Sequence, residues 1–153
     1  MIIELIAIIV SMVLMALMFQ GGGAFEFLLQ FFDLASLFCM LLLSLPILAK
    51  NGLFKDFIRA FKMQSKKFSC SLSDMRRSLD VVELMQKQVL YAGAITTIVP
   101  IIYVLGTIDN MEALGANIAV SFMTVFYTAI LELLLLPLQI ELKRRIIDYM
   151  EEE

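Results

Sequence analysis

Two stretches of this chain set small and hydroxyl residues at helical spacing inside otherwise apolar sequence. Gly93, Thr96, Pro100, Tyr103 and Thr107 follow one another by three, four, three and four positions, with Thr97 beside them. That rhythm keeps them on one face of a helix. Asn117, Ser121, Thr124, Thr128 and Glu132 repeat the pattern further on. Such a stripe has two uses. It can let two helices pack closely, or its oxygens can replace part of the hydration shell of a passing ion. Glu132 is the only acid well inside an apolar run, and an acid there is a functional candidate by default. Its place close to the end of the run leaves a snorkelling role and an ion-binding role both open.

The elements that must position these stripes are membrane spans. The chain has 153 residues, 61% of them hydrophobic, with mean hydropathy +0.89; a soluble domain is about 45–50% apolar. The net charge is −3 and the pI about 5.0, but the charges are segregated. Of the 12 basic residues, nine lie from Lys50 to Lys87 and three at Lys143, Arg144 and Arg145. By the positive-inside rule both basic segments are cytoplasmic. Basic residues are not interleaved with aromatics in a soluble domain, so no nucleic acid is expected as a partner. There is no histidine, which removes His-ligated haem, His-based triads and the commoner zinc sites. Cys39 and Cys70 are isolated and read as unpaired, so a membrane redox enzyme is not expected. No enzyme activity and no cofactor is expected.

A span needs about 20 apolar residues. The sequence predicts four, at about 2–19, 34–49, 88–108 and 113–136, with cytoplasmic segments at 50–87 and 138–153. The amino terminus has Glu4 and no basic flank, so it reads as a retained span starting outside rather than a cleavable signal. Gly21-Gly22-Gly23 should break the first span, and the Phe-rich piece around Glu26 and Asp33 reads as a re-entry segment at the outer interface. Phe54, Phe57, Ile58 and Phe61 beside Lys55, Arg59 and Lys62 predict an amphipathic basic helix, on the inner leaflet lipid or against neighbouring subunits. Ser71 and Asp74 resemble a capping box. They open a helix with Leu72, Met75, Leu79 and Val82 on one face, expected to run unbroken into the third span. Asp109 to Glu112 is a tight outer turn, which makes the last two spans an antiparallel hairpin. The whole is one four-span, all-α integral membrane domain with its amino terminus outside and its carboxyl terminus in the cytoplasm. A mid-membrane relay for protons or sodium needs a charged or titratable group, and this reading finds none at that depth. The missing carboxylate is expected from another polypeptide.

Three stretches resemble the MotA/TolQ/ExbB family, and among its members most of all MotA. Phe32-Asp33-Leu34-Ala35-Ser36-Leu37 resembles the Asp-x-Pro-Ser-Leu start of the second span, with Ala35 in place of proline. Gly93 through Leu105 resembles Gly-x-x-Gly-Thr-x-x-Gly, with Gly93 and Thr97 matching and Thr96 and Pro100 replacing glycines. Leu114-Gly115-Ala116-Asn117-Ile118-Ala119-Val120, then Thr124, Tyr127 and Pro137, resembles the fourth span. The resemblance implies a MotA-like, ring-forming fold in a bacterial inner membrane. It implies a homo-pentamer around a dimer of a single-span MotB/TolR/ExbD-like partner that carries the ion-binding aspartate. It implies rotation driven by inward flow of H+ or Na+, with the third and fourth spans lining the interior. Thr97 resembles the threonine of sodium-type members. The chain departs from the pattern at Leu90, where the family has proline. The ion-linked second threonine falls on Val125 counting from Tyr127, and on Thr124 counting back from Pro137. The segment from Lys50 to Lys87 is far shorter than in flagellar members. The alternatives from other classes are a small proton-coupled transporter and a passive helical scaffold or pore.

Overall fold

The computed structural model describes residues 2–18, 33–50, 52–64, 70–106 and 111–151. They form α1 (Ile2–Met18), α2 (Leu34–Lys50), α3 (Phe54–Lys62), α4 (Leu72–Gly106) and α5 (Met111–Glu151). The expected glycine break at 21–23, the re-entry segment before Asp33, Thr107 and the first half of the outer turn fall outside these residues. The described residues are all helical apart from short connections.

α4 begins where the capping pattern places it. The Ser71 hydroxyl accepts the Asp74 N–H at 3.3 Å and donates to the Asp74 carboxylate at 3.0 Å. From there 35 residues run without interruption, as expected. α5 is longer, 41 residues, and continues through Pro137. The sequence reading divided it there. Proline removes one helical hydrogen bond and kinks a helix, but this one is held on both sides of Pro137 by packing of Leu135, Leu138 and Leu142 into the core. α4 and α5 are antiparallel partners: Gly93 meets Thr128, and Glu83 meets Gln139 and Lys143.

The core sits at the charged end of this hairpin. Leu48 of α2, Ala60 of α3, Val82 and Met85 of α4, and Leu138 and Leu142 of α5 are buried there. Met75 and Val82 are buried and Leu72 and Leu79 pack against them, so the face predicted for the start of α4 is the buried one. α3 is different. Its buried residues are Asp56 and Ala60, while Phe54, Ile58 and Phe61 stay exposed. An acid turns inward because the Arg59 guanidinium ties it to Asp74 on α4, with N–O distances of 2.8 Å to each carboxylate. Phe57 packs against the core, and the rest of the aromatic face is exposed, open to the lipid or neighbouring subunits expected for it.

Towards its other end the hairpin is apolar outside as well as in. Ile95, Ile98, Ile102, Phe122 and Val125 are exposed. α4 and the Leu114–Glu151 part of α5 are long and apolar enough to cross a membrane. α1 and α2 have 17 residues each, about 25 Å of helix against a hydrocarbon core of about 30 Å. α2 reaches spanning length only together with α3, across a bend of 102°.

Ser78 is wholly buried and its hydroxyl has no hydrogen-bond partner. A buried unmade hydrogen bond costs about 1–3 kcal/mol. Ser78→Ala is therefore expected to raise stability by about 1 kcal/mol, read as a higher melting temperature in detergent. A lower one would show that the hydroxyl is satisfied in solution.

Candidate functional site

α4 carries no charged residue from Gln88 to Gly106, and α5 none from Ala113 to Leu131. Each run is about 27 Å of helix, and Thr97 marks the middle of the first. There its hydroxyl oxygen lies 2.5 Å from that of Thr124. Thr97 also reaches the Gly93 carbonyl at 2.7 Å, and Thr124 the Ser121 carbonyl at 2.7 Å. Each hydroxyl has one hydrogen. One of the two therefore donates across the helix gap and releases its own carbonyl, while the other keeps its backbone bond. The pair can exchange these roles without moving a heavy atom.

The close approach that brings them together is made one turn away. Gly93 faces Thr128 so tightly that a Cβ would overlap the Thr128 hydroxyl. The other stripe hydroxyls satisfy their own helices: Thr96 donates to Ala92 O at 2.8 Å, Ser121 to Asn117 O at 3.0 Å, and Thr128 to Thr124 O at 2.7 Å. Ser121 and Thr124 are 2% and 1% exposed. The α5 stripe thus turns towards α4 within one chain. Tyr103 is 66% exposed.

Two grooves flank the hairpin. One, of about 570 Å³, is lined by Thr97, Thr128 and Glu132 with Leu90 and Tyr91. It places Glu132 near the charged end, as its position in the run implied. The other, of about 550 Å³, lies between the hairpin and α2 and is lined by Asp33, Ser36, Cys39, Thr96, Pro100 and Thr124.

Asp33 is the one described residue of the piece read as a re-entry segment. Its backbone N–H donates to the Tyr127 hydroxyl at 2.7 Å, and its groove neighbours Thr96, Pro100 and Thr124 stand about halfway along the uncharged runs. Pro100 is six positions from the end of α4, about 9 Å. Asp33 thus shares a groove with residues of both uncharged runs. Its local role is plain: it caps α2, accepting the N–H of Ala35 at 3.1 Å and of Ser36 at 3.4 Å on one oxygen, and the Ser36 hydroxyl at 2.5 Å on the other. Aspartate is a favoured residue at that capping position, but no local signal gives the place along the hairpin where the helix docks.

At the charged end, Glu83 receives hydrogen bonds from Lys143 at 2.9 Å and Gln139 at 2.9 Å. The Lys143 ammonium, with Gln139, holds its carboxyl below the ordinary range. Cys39 and Cys70 are both free, and burial pushes the Cys70 thiol up. Among the described residues no cluster of His, Cys, Asp or Glu could hold a metal ion.

Compared with protein-family models, with curated proteins and with solved structures, the chain finds no match.

Proposed function

We propose that the chain is the ring-forming subunit of an ion-driven membrane machine of the MotA/TolQ/ExbB kind. In this reading α1, α2 and the apolar parts of α4 and α5 are its four spans. Five copies surround a dimer of a single-span partner, and inward flow of H+ or Na+ drives rotation in a bacterial inner membrane. The observation that carries the proposal is the uncovered apolar half of the α4–α5 hairpin. It holds a central hydroxyl pair and exposes Ile98, Ile102, Tyr103 and Phe122. In one copy these side chains are 53–70% exposed; neighbours in a ring would cover them. The order of the three resembling stretches along the chain supports the same reading.

The second reading is a small cation-coupled transporter. Asp33 favours it, because a transporter needs an acid among its spans and Asp33 lines the same groove as Thr96 and Thr124. Native mass spectrometry of the chain released from mild detergent separates the two. A pentamer is expected for the ring. A stable monomer would end the ring proposal, and a dimer would move the weight to the transporter.

A further inference from the structure

We propose that α3 of one copy docks on the charged end of α5 in the next copy. Phe54, Ile58 and Phe61 lie against Ile147 and Met150, with Lys55 and Lys62 facing Asp148 and Glu151. This contact deepens the ring reading above and rests on it.

Depth decides what can cover the aromatic face of α3. Arg59 ties α3 to Asp74, which stands 14 positions before Gln88, where the uncharged run of α4 begins. That is about 21 Å along the helix, and still about 16 Å if the helix tilts by about 40°. The headgroup layer reaches only roughly 5–8 Å beyond the hydrocarbon. Ile58 and Phe61, on either side of Arg59 in the chain, are thus beyond the reach of lipid. Exposed apolar side chains grouped in water mark a protein interface. The face is also held in shape. Phe61 packs edge-on against Phe57 with ring centres 5.1 Å apart, and Phe57 packs against the core. Little ordering would be lost on docking.

A second apolar face stands at the same level. α5 meets α4 through Lys143 and Glu83 at 2.9 Å, and Arg76 reaches the Met150 sulfur at 3.6 Å. α3 lies along the same stretch of α4, with Leu53 and Leu84 lining one cleft and Arg59 at Asp74. Over these turns α5 exposes Ile147 and Met150. A contact between two unlike faces builds a closed ring or an open filament, according to whether the rotation closes. Faces at one level need no step along the axis, which is the condition for closure.

Charge selects the partner. Asp56 is turned inward, so α3 presents Lys55 and Lys62 as its fully exposed charges. The last described turn of α5 exposes Asp148 and Glu151. Both helices run away from the apolar band, α3 towards Asp74 and α5 past Arg76. Lys62, at the far end of α3, therefore comes level with those acids. Pairing α3 with another α3 would set lysine against lysine.

The test uses the full-length chain with Cys39→Ser and Cys70→Ala, so that only introduced thiols react. One version carries Ile58→Cys and another Ile147→Cys; the two are co-expressed, and a short bis-maleimide is added to the membranes. A cross-linked dimer joining the two versions is expected, with at most a trace from either version alone. Both substitutions in one chain should give a ladder up to the full ring. Lys55→Glu with Lys62→Glu should cut the mixed dimer about threefold, and Asp148→Lys with Glu151→Lys should restore it. Strong cross-linking of the Ile58→Cys version with itself would overturn the proposal, since it sets α3 on α3. Loss of the mixed dimer in chains that native mass spectrometry still finds as pentamers would overturn it too, and the ring would stand. A monomer in that measurement would remove both.

Discussion

Gly93→Ala should split the hairpin at its centre. The added methyl would overlap the Thr128 hydroxyl and come within 2.9 Å of its Cβ and Cγ2, closer than real carbon contacts. Two opposing effects set the sign. Alanine is the better helix former by about 1 kcal/mol, so a substitution judged by propensity alone would stabilise. Overpacking a tight contact costs about 1–3 kcal/mol, occasionally more. Here the obstacle includes the Cβ of a helical residue, which moves only if the helix moves. The upper end of that range should apply, a net loss of roughly 2 kcal/mol. The separation would also open the Thr97–Thr124 contact one turn away. Thermal unfolding in detergent measures the loss. Thr128→Ala removes the oxygen and Cγ2, so Gly93→Ala with Thr128→Ala should recover part of it, and Thr128→Gly nearly all. A gain in stability for Gly93→Ala alone would show that the helices are not this close.

Arg59→Ala should release α3 from the rest of the molecule. Arg59 bridges Asp56 and Asp74. Asp56 is 5% exposed, and its remaining partner is Arg77 at 3.5 Å, an exposed side chain. Removing one partner of a fully buried ion pair costs about 3–5 kcal/mol. Arg59 is partly exposed and Arg77 remains, so about 2 kcal/mol is the better expectation. The Lys143–Glu83 pair is far more open, and Lys143→Ala should cost under about 1 kcal/mol. Limited proteolysis and hydrogen exchange over Leu53–Met63 distinguish the two variants. Arg59→Ala should expose that segment while leaving α4 and α5 protected, and Lys143→Ala should not. Equal protection of α3 in both would remove the clamp.

Much was legible in the residues because it depended on short-range rules. Ser71 with Asp74 fixed the start of α4, and uninterrupted apolar sequence carried it through to Gly106. Charge segregation and hydropathy identified long apolar helices, and periodicity of three and four put Thr124 and Thr128 on one face, while on α4 it chose Thr96 for the stripe and left Thr97, the residue that meets Thr124, beside it. Those features are local: helical spacing, capping and transfer energy are set within a few turns of chain. The sequence was less informative about α3, where nothing local announced that Asp56 would be buried. That burial depends on Arg59 meeting Asp74, fifteen positions away.

What only the tertiary structure decided was depth and partnership. Nothing within reach of Asp33 along the chain says that α2 starts partway along the hairpin rather than at its end. That follows from Tyr127, 94 positions later, accepting the Asp33 N–H, and from Met40 and Leu48 seating α2 against α4 and α5. The stripes likewise could not reveal their partner, since a hydroxyl that bonds its own helix, a neighbouring helix or an ion obeys the same spacing. Contact between Thr97 and Thr124 is a property of how two long helices pack. Local sequence sets which face a residue occupies, whereas the sum of distant contacts sets what that face meets.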